Sequence, residues 1–396
     1  MRILVLTPWA PYPLTGACQQ DRFSGLKQMR SMGYDIHVLA RTLPFQSKEQ
    51  IERIFATEGI PITLIPHTAS PWKLIAGNIP AILRHPALLD GAALEYLDAQ
   101  YLSALRFLIL SQRPDLIWME YCTHWPLLRI LKSEGIPIIV KSSLNEPQHC
   151  IDEHGGSLMA RLKALPKKTG ERIVARNADL VLAITPDEER WYRSLGATHT
   201  GVLPLRGLSQ CFERRSHSAK DRLDVVFLSA SYNVGHNRDA LLFLLKEILP
   251  EVRRRLPGHI RFHLTGGKFR EEWKRYLSDD LRLVGYVPDL SGFLRTMDAA
   301  VCPWISGQGM QQKVFEPLCR SLPLLTTKTA GYPFVDGKEV LLCATPQQYA
   351  DGLEKLLDPA LRNAVAAAAY EKAWSLFNEE IMKRTVKEAI ESVINT

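Results

Sequence analysis

The chain has 396 residues, 46% of them hydrophobic and 23% charged, which suits about two ordinary globular domains and excludes a largely disordered polypeptide. Lys and Arg outnumber Asp and Glu by 49 to 42. That modest excess suits an anionic ligand or an anionic membrane face but does not imply nucleic acid, for which no recognition motif is present. No apolar run approaches the roughly 18 residues of a spanning helix.

The N-terminal residues 1–6 are apolar apart from Arg2, but Pro8, Pro11 and Pro13 interrupt them at once, so no secretory leader is read and a cytoplasmic location is expected. The seven cysteines include no C-x-x-C pair and no zinc spacing, so they are expected to be buried, reduced thiols.

From the N-terminus, the pattern predicts a strand at 2–7, a helix at 21–32, strands at 35–40 and 62–65, and a long helix at 92–111. A strand at 115–119, a helix at 125–133, a strand at 137–141, a helix at 158–177 and a strand at 180–184 follow. After a polar stretch at 212–222 the rhythm restarts. Strands are expected at 224–229, 260–265, 281–284, 299–303, 324–327 and 340–343, with helices at 238–256, 271–277, 290–297, 311–321 and 346–357. The tail 361–396 reads as helical throughout. This alternation predicts two doubly wound, Rossmann-like α/β domains facing a cleft, with ligands at the C-terminal strand ends. The expected domains are 1–205 and 206–372, with a C-terminal helix at 373–396 crossing back to the first. One loop, 70–89, carries Trp72, Leu74, Ile79 and Leu83 among Lys73, Arg84 and His85. A lid or a covered edge helix is the favoured reading, with a membrane or partner contact second.

Two segments carry chemistry. The first βα turn is proline-rich and ends at Gly16, where a phosphate or sugar can approach the backbone; a turn glycine in a surface loop is the alternative. It lacks the G-x-G-x-x-G pattern of dinucleotide enzymes, which argues against a nicotinamide or flavin dehydrogenase. In the second domain, residues 307–316 form a glycine-containing loop running into a helix. Free N–H groups there suit phosphate oxygens, Lys313 can neutralise a diphosphate, and Glu316 can accept hydrogen bonds from ribose. The alternative is a surface i,i+3 pair between Lys313 and Glu316.

With these segments in place, the chain resembles the retaining nucleotide-sugar glycosyltransferases of family 4, or group 1, which have the GT-B fold. The resemblance runs through the N-terminal strand and its Pro-Tyr-Pro loop, the segments at 32–39, 114–117 and 178–181, and those at 227–250, 284–290 and 307–323. A C-terminal helix with Trp374 and Phe377 completes it.

The resemblance implies a sugar donor held by Gly309, Met310 and Gln311, with Glu316 on the ribose as the second glutamate of an E-x7-E motif. The base is expected near Tyr286 and Val287, and Gly16 under the sugar. Asn237 matches a frequent asparagine of the family, or caps a helix opening at Arg238. The first glutamate of the motif is replaced by Gln308, Ser321 replaces a usual glycine, and the family's usual histidine is not evident. Asn145, Glu146 and His149 are the cleft candidates in its place, with an ordinary loop histidine as the other reading of His149.

The expected reaction is transfer of a sugar from UDP- or GDP-sugar to a carbohydrate or lipid-linked hydroxyl with retention, in polysaccharide or glycolipid assembly. Lys313 meets the charge that grows on the leaving diphosphate. No metal motif of the D-x-D kind is present, and no metal or further cofactor is expected. A nucleotide-sugar epimerase of the same fold and a non-catalytic nucleotide-binding homologue are the alternatives.

Overall fold

The computed structural model of the chain describes residues 1–67, 71–304 and 309–395. It divides into two compact units, Met1–Gly207 with Gln308–Met310 and Glu379–Thr396, and Leu208–Gly307 with Gln311–Asn378.

The first unit is built on seven parallel strands: β1 (Arg2–Trp9), β2 (Asp35–Thr42), β3 (Ile62–Pro66), β4 (Leu116–Glu120), β5 (Ile138–Lys141), β6 (Leu180–Ala183) and β7 (Thr200–Val202). Their order across the sheet is β3-β2-β1-β4-β5-β6-β7. Ile3 pairs with Ile36 on one side and Leu116 on the other, so the order reverses between β1 and β4. Every residue of β4, β5 and β6 is buried, as expected when helices cover both faces of a parallel sheet.

The second unit repeats the plan with six strands: β8 (Leu223–Phe227), β9 (Ile260–Thr265), β10 (Leu281–Gly285), β11 (Ala299–Cys302), β12 (Leu324–Thr326) and β13 (Leu341–Leu342). The order is β10-β9-β8-β11-β12-β13, all parallel, with the reversal between β8 and β11. Each unit has its own apolar core, one around Leu4, Ile117 and Val140, the other around Val225, Leu264 and Val301.

Several helices differ from expectation. The first spans Ala17–Ser31, four residues earlier than read, with Gly16 at its N-cap. The helix expected at 92–111 is interrupted, with short turns over Gly91–Leu97 and a separate helix at Ala99–Gln112. The cause is Arg41, fully buried on β2, whose guanidinium needs acceptors; it donates to the Glu95 carbonyl and to Asp98 Oδ2 at 3.3 Å. The segment read as a loop is helical over Pro71–Gly77 and Ile79–Arg84, then forms a tight turn at Pro86–Leu89. The helix expected from Arg238 starts at Gly235 and loosens into a π turn at Leu244–Ile248, beside Pro250, which has no N–H to donate. The tail is two helices, Pro359–Phe377 and Glu379–Ile394, separated by an extended Asn378. All seven cysteines are free thiols, and Cys18 is exposed rather than buried. Among the described residues no helix is long and apolar enough to cross a membrane.

Candidate functional site

In a doubly wound sheet the loops leaving the two strands at the reversal diverge and open a crevice at their C-terminal ends. In the second unit those are the loops after β8 and β11. The helix after β8 carries Asn237 in its first turn, and the helix Gln312–Cys319 follows β11 with Lys313 as its second residue. Asn237 Nδ2 donates to the Ser231 carbonyl at 2.9 Å, leaving Oδ1 to accept Lys313 Nζ at 2.5 Å. Asn237 therefore lies inside its helix and is no N-cap, because the helix opens two residues before it. Lys313 is half-buried, and no carboxylate lies within 4.0 Å of it among the described residues. Burial lowers its pKa. A desolvated ammonium with one neutral partner is a place for an anion.

One turn on, Glu316 is buried. Its Oε1 accepts Nε and Nη2 of Arg320 at 3.1 and 3.0 Å, and its Oε2 accepts Gln312 Nε2 at 3.0 Å. Arg320 also donates to Ser291 Oγ at 2.9 Å. Both residues of the expected Lys313–Glu316 surface pair thus have other partners. Glu316 is a carboxylate fixed from its own helix by Gln312 and from the helix end by Arg320.

The loops after β8, β9 and β10 are tied together. Gly266 N donates to Gly285 O at 2.7 Å, and Gly267 N donates to Ala230 O at 3.0 Å. Gly266 has φ +103, and a Cβ there would lie 2.6 Å from Ser229 O, so only glycine allows this approach. Tyr286 is 72% exposed and Val287 half-buried just beyond β10, the edge strand two places from β8. Gln311 is the extended N-cap of the Lys313 helix, and Met310 before it is half-buried. Gly309 has φ +79 and belongs to the first unit, where a Cβ would lie 3.2 Å from Ser143 O. Gln308 lies outside the described residues.

In the first unit, Gly16 is extended at φ −151, so its backbone does not demand glycine. A Cβ there would meet only the flexible end of Gln19. Asn145, Glu146 and His149 share the first turn of a helix, Glu146–Glu153, so His149 is not a loop residue. Asn145 Oδ1 caps that helix by accepting Gln148 N at 3.0 Å. Glu146 lies 3.7 Å from Lys167; burial raises its pKa, and Lys167 opposes the shift. His149 Nε2 lies 3.9 Å from Glu153.

Three charged features were not anticipated from sequence. Asp21, Glu120, Lys141 and Arg206 form a buried ion network within the first unit. Glu171 accepts Trp191 Nε1 at 2.7 Å and the Glu146 N–H at 2.9 Å, and burial pushes its pKa up to about 7. Glu188 is buried with neither carboxylate oxygen in hydrogen-bond geometry among the described residues, and burial again pushes it up to about 7, against the nearby backbone of Asn145 and Ile184. For a carboxyl whose folded pKa is raised, stability falls as pH rises from the ordinary value to the folded one. Glu188→Gln is therefore expected to melt at the wild-type temperature at pH 4 and several degrees higher at pH 8, read by calorimetry, from removal of a penalty of roughly 3 kcal/mol.

Two tandem doubly wound parallel sheets, with a final helix that rejoins the first, make this a protein of the GT-B fold. The model of the glycosyl transferase 4-like domain matches residues 26–206, and that of the glycosyl transferases group 1 matches residues 222–359. The chain belongs to the group 1 glycosyltransferases, and it is a glycosyltransferase.

Solved structures share the fold at low identity. HepE from Anabaena, in complex with UDP, has a TM-score of 0.67 at 13% identity, covering 99% of this chain and 100% of that one. Sucrose-phosphate synthase from Thermosynechococcus elongatus has a TM-score of 0.70 at 14% identity, covering 100% and 99%. A TarM variant from S. aureus, in complex with Fondaparinux, alpha-GlcNAc-glycerol and UDP, has a TM-score of 0.68 at 10% identity, covering 100% of both chains. No curated protein sequence matches the chain.

Proposed function

We propose that the protein transfers a hexose from a nucleoside diphosphate sugar to a hydroxyl of a carbohydrate or lipid-linked acceptor with retention of anomeric configuration, in polysaccharide or glycolipid assembly. The observation that carries this is Lys313, a half-buried ammonium with no carboxylate within 4.0 Å among the described residues, held by Asn237 at the β8/β11 reversal. The donor diphosphate would be held by Lys313 with the 309–311 segment, the ribose by Glu316, and the base beside Tyr286 and Val287. UDP in the HepE and TarM structures favours a uridine donor, with a GDP-sugar as the second choice. The acceptor would be held by the first unit around Gly16, Asn145, Glu146 and His149.

In the reaction, the bond from the anomeric carbon to the diphosphate oxygen breaks, and the acceptor oxygen bonds to the same face of that carbon. The acceptor proton passes to the departing phosphate oxygen. Negative charge grows on the diphosphate in the transition state, and the Lys313 ammonium stabilises it.

The test is proton NMR of the product formed from UDP-glucose or GDP-mannose with a panel of saccharide acceptors. A product with the donor's anomeric configuration is expected. An inverted product overturns retention, and an isomerised sugar nucleotide formed without acceptor overturns transfer. Glu316→Gln keeps the shape but removes the charge. It is expected to raise KM for the donor roughly tenfold while kcat changes less, checked by initial rates at varied donor concentration.

A further inference from the structure

The helix Leu158–Asn177 of the first unit shows an unusual division of faces. Ala160 and Ala164 are buried, and on the opposite side Leu158, Leu162 and Leu165 stand 75%, 50% and 57% exposed. At about 100° per residue the three leucines form one stripe. Arg161 flanks it on one side and Lys163 on the other, both exposed. The helix packs beside the turn Pro86–Leu89, and Lys167 Nζ lies 3.4 Å from Asp90, the next residue. That turn continues from the two short helices that expose Trp72 and Leu83, at 79% and 77%, together with Lys73 and Arg84.

Charge decides what this surface fits. Residues 71–89 and 158–170 contain no Asp or Glu. Lys73, Arg84, Arg161 and Lys163 have no carboxylate within 4.0 Å among the described residues. A soluble helix normally intersperses both signs on its exposed face. A second copy of the chain would bring the same cations together, which disfavours a symmetric dimer through this face.

We infer that this face docks the protein on an anionic lipid bilayer. The exposed leucines and Trp72 enter the headgroup boundary, while the lysine and arginine heads remain at phosphate level. The inference does not depend on the identity of the sugar donor.

The experiment is co-sedimentation of the full chain with vesicles of phosphatidylglycerol and phosphatidylcholine in equal parts, and with phosphatidylcholine alone. Binding to the mixed vesicles, weakening as salt is raised, is expected. The double variant Arg161→Gln/Lys163→Gln should bind them about 25-fold less tightly, since each basic residue near such a surface is worth about fivefold. Leu158→Ser/Leu162→Ser should also lose binding. Both variants alter exposed side chains and should melt with the wild type, so loss of binding is not loss of fold. Failure of the wild type to sediment with the mixed vesicles, equal binding to both vesicle types, or unchanged binding by both variants would overturn the inference. So would reversible dimerisation that both variants abolish, read by light scattering.

Discussion

Lys313→Met is expected to keep its fold and lose sugar transfer by a factor of about 10²–10³ in kcat, the loss typical when one preorganised donor to a developing anion is removed. Lys313 has one hydrogen-bond acceptor, Asn237, and no carboxylate partner among the described residues. Its ammonium is partly stripped of water, and burial already lowers its pKa. In the folded protein without ligand this is a cost, so methionine is expected to leave the melting temperature unchanged or slightly raised. With diphosphate present the same charge is worth more than it would be in water. The lowered pKa of the ligand-free protein also sets the pH dependence of kcat/KM for the donor, which should decline on the alkaline side before the ordinary range of lysine is reached, whereas kcat, with the diphosphate bound, should hold to higher pH. Initial rates across pH, with calorimetry of both proteins, check all three points. Turnover within threefold of the wild type would remove Lys313 from the reaction.

The largest effect on stability is expected at Asp21, in the first unit. Lys141 Nζ donates to its Oδ2 at 2.9 Å, Arg206 Nη2 donates to the same oxygen at 3.0 Å, and the Arg206 N–H reaches Oδ1 at 2.6 Å. Arg206 Nη2 also lies 2.9 Å from Glu120 Oε1. All four residues are buried. Asp21→Ala strands Lys141 and leaves Arg206 with one carboxylate, and breaking a buried pair costs about 3–5 kcal/mol. For a unit of this size that corresponds to a melting point lower by on the order of 10 °C. Burial alone would raise the Asp21 pKa, but Arg206 and Lys141 outweigh it and hold the carboxyl well below its usual range. A lowered folded pKa contributes stability that is present above the unfolded value and lost as pH falls through the folded one. The wild-type advantage should therefore be full at neutral pH and persist to pH 4, shrinking only in stronger acid. Calorimetry of both proteins at pH 7, 4 and 2 checks this.

These two residues show what sequence discloses. Strands such as Ile138-Ile139-Val140 are buried on both sides, so they read as continuous apolar runs, and their alternation with helical patterns is enough to predict two doubly wound sheets. That Lys313 and Glu316 share one helix was legible, because a glycine loop running into a helical pattern places them there locally. Their actual partners were less so: Asn237 lies 76 residues away, and only the sheet reversal brings it to Lys313. Lys141 and Glu120 end apolar strands, a visible anomaly, but Asp21 is 120 residues from Lys141 and 185 from Arg206. Nothing local indicates that the four meet. The short helices Pro186–Ser194 and Glu146–Glu153 were missed because an N-cap with proline one or two residues on reads equally well as a turn. The break at Asp98 was hidden because its cause, Arg41, lies on a different element.

The most direct test of the donor site is calorimetric titration of UDP into the wild type, Lys313→Met and Glu316→Gln. Binding by the wild type, weakened by either substitution, is the expected result. Absence of binding by any nucleoside diphosphate in the series UDP, GDP and ADP, or equal affinity in all three proteins, would contradict the assignment of the β8/β11 reversal as the place where the sugar nucleotide is held.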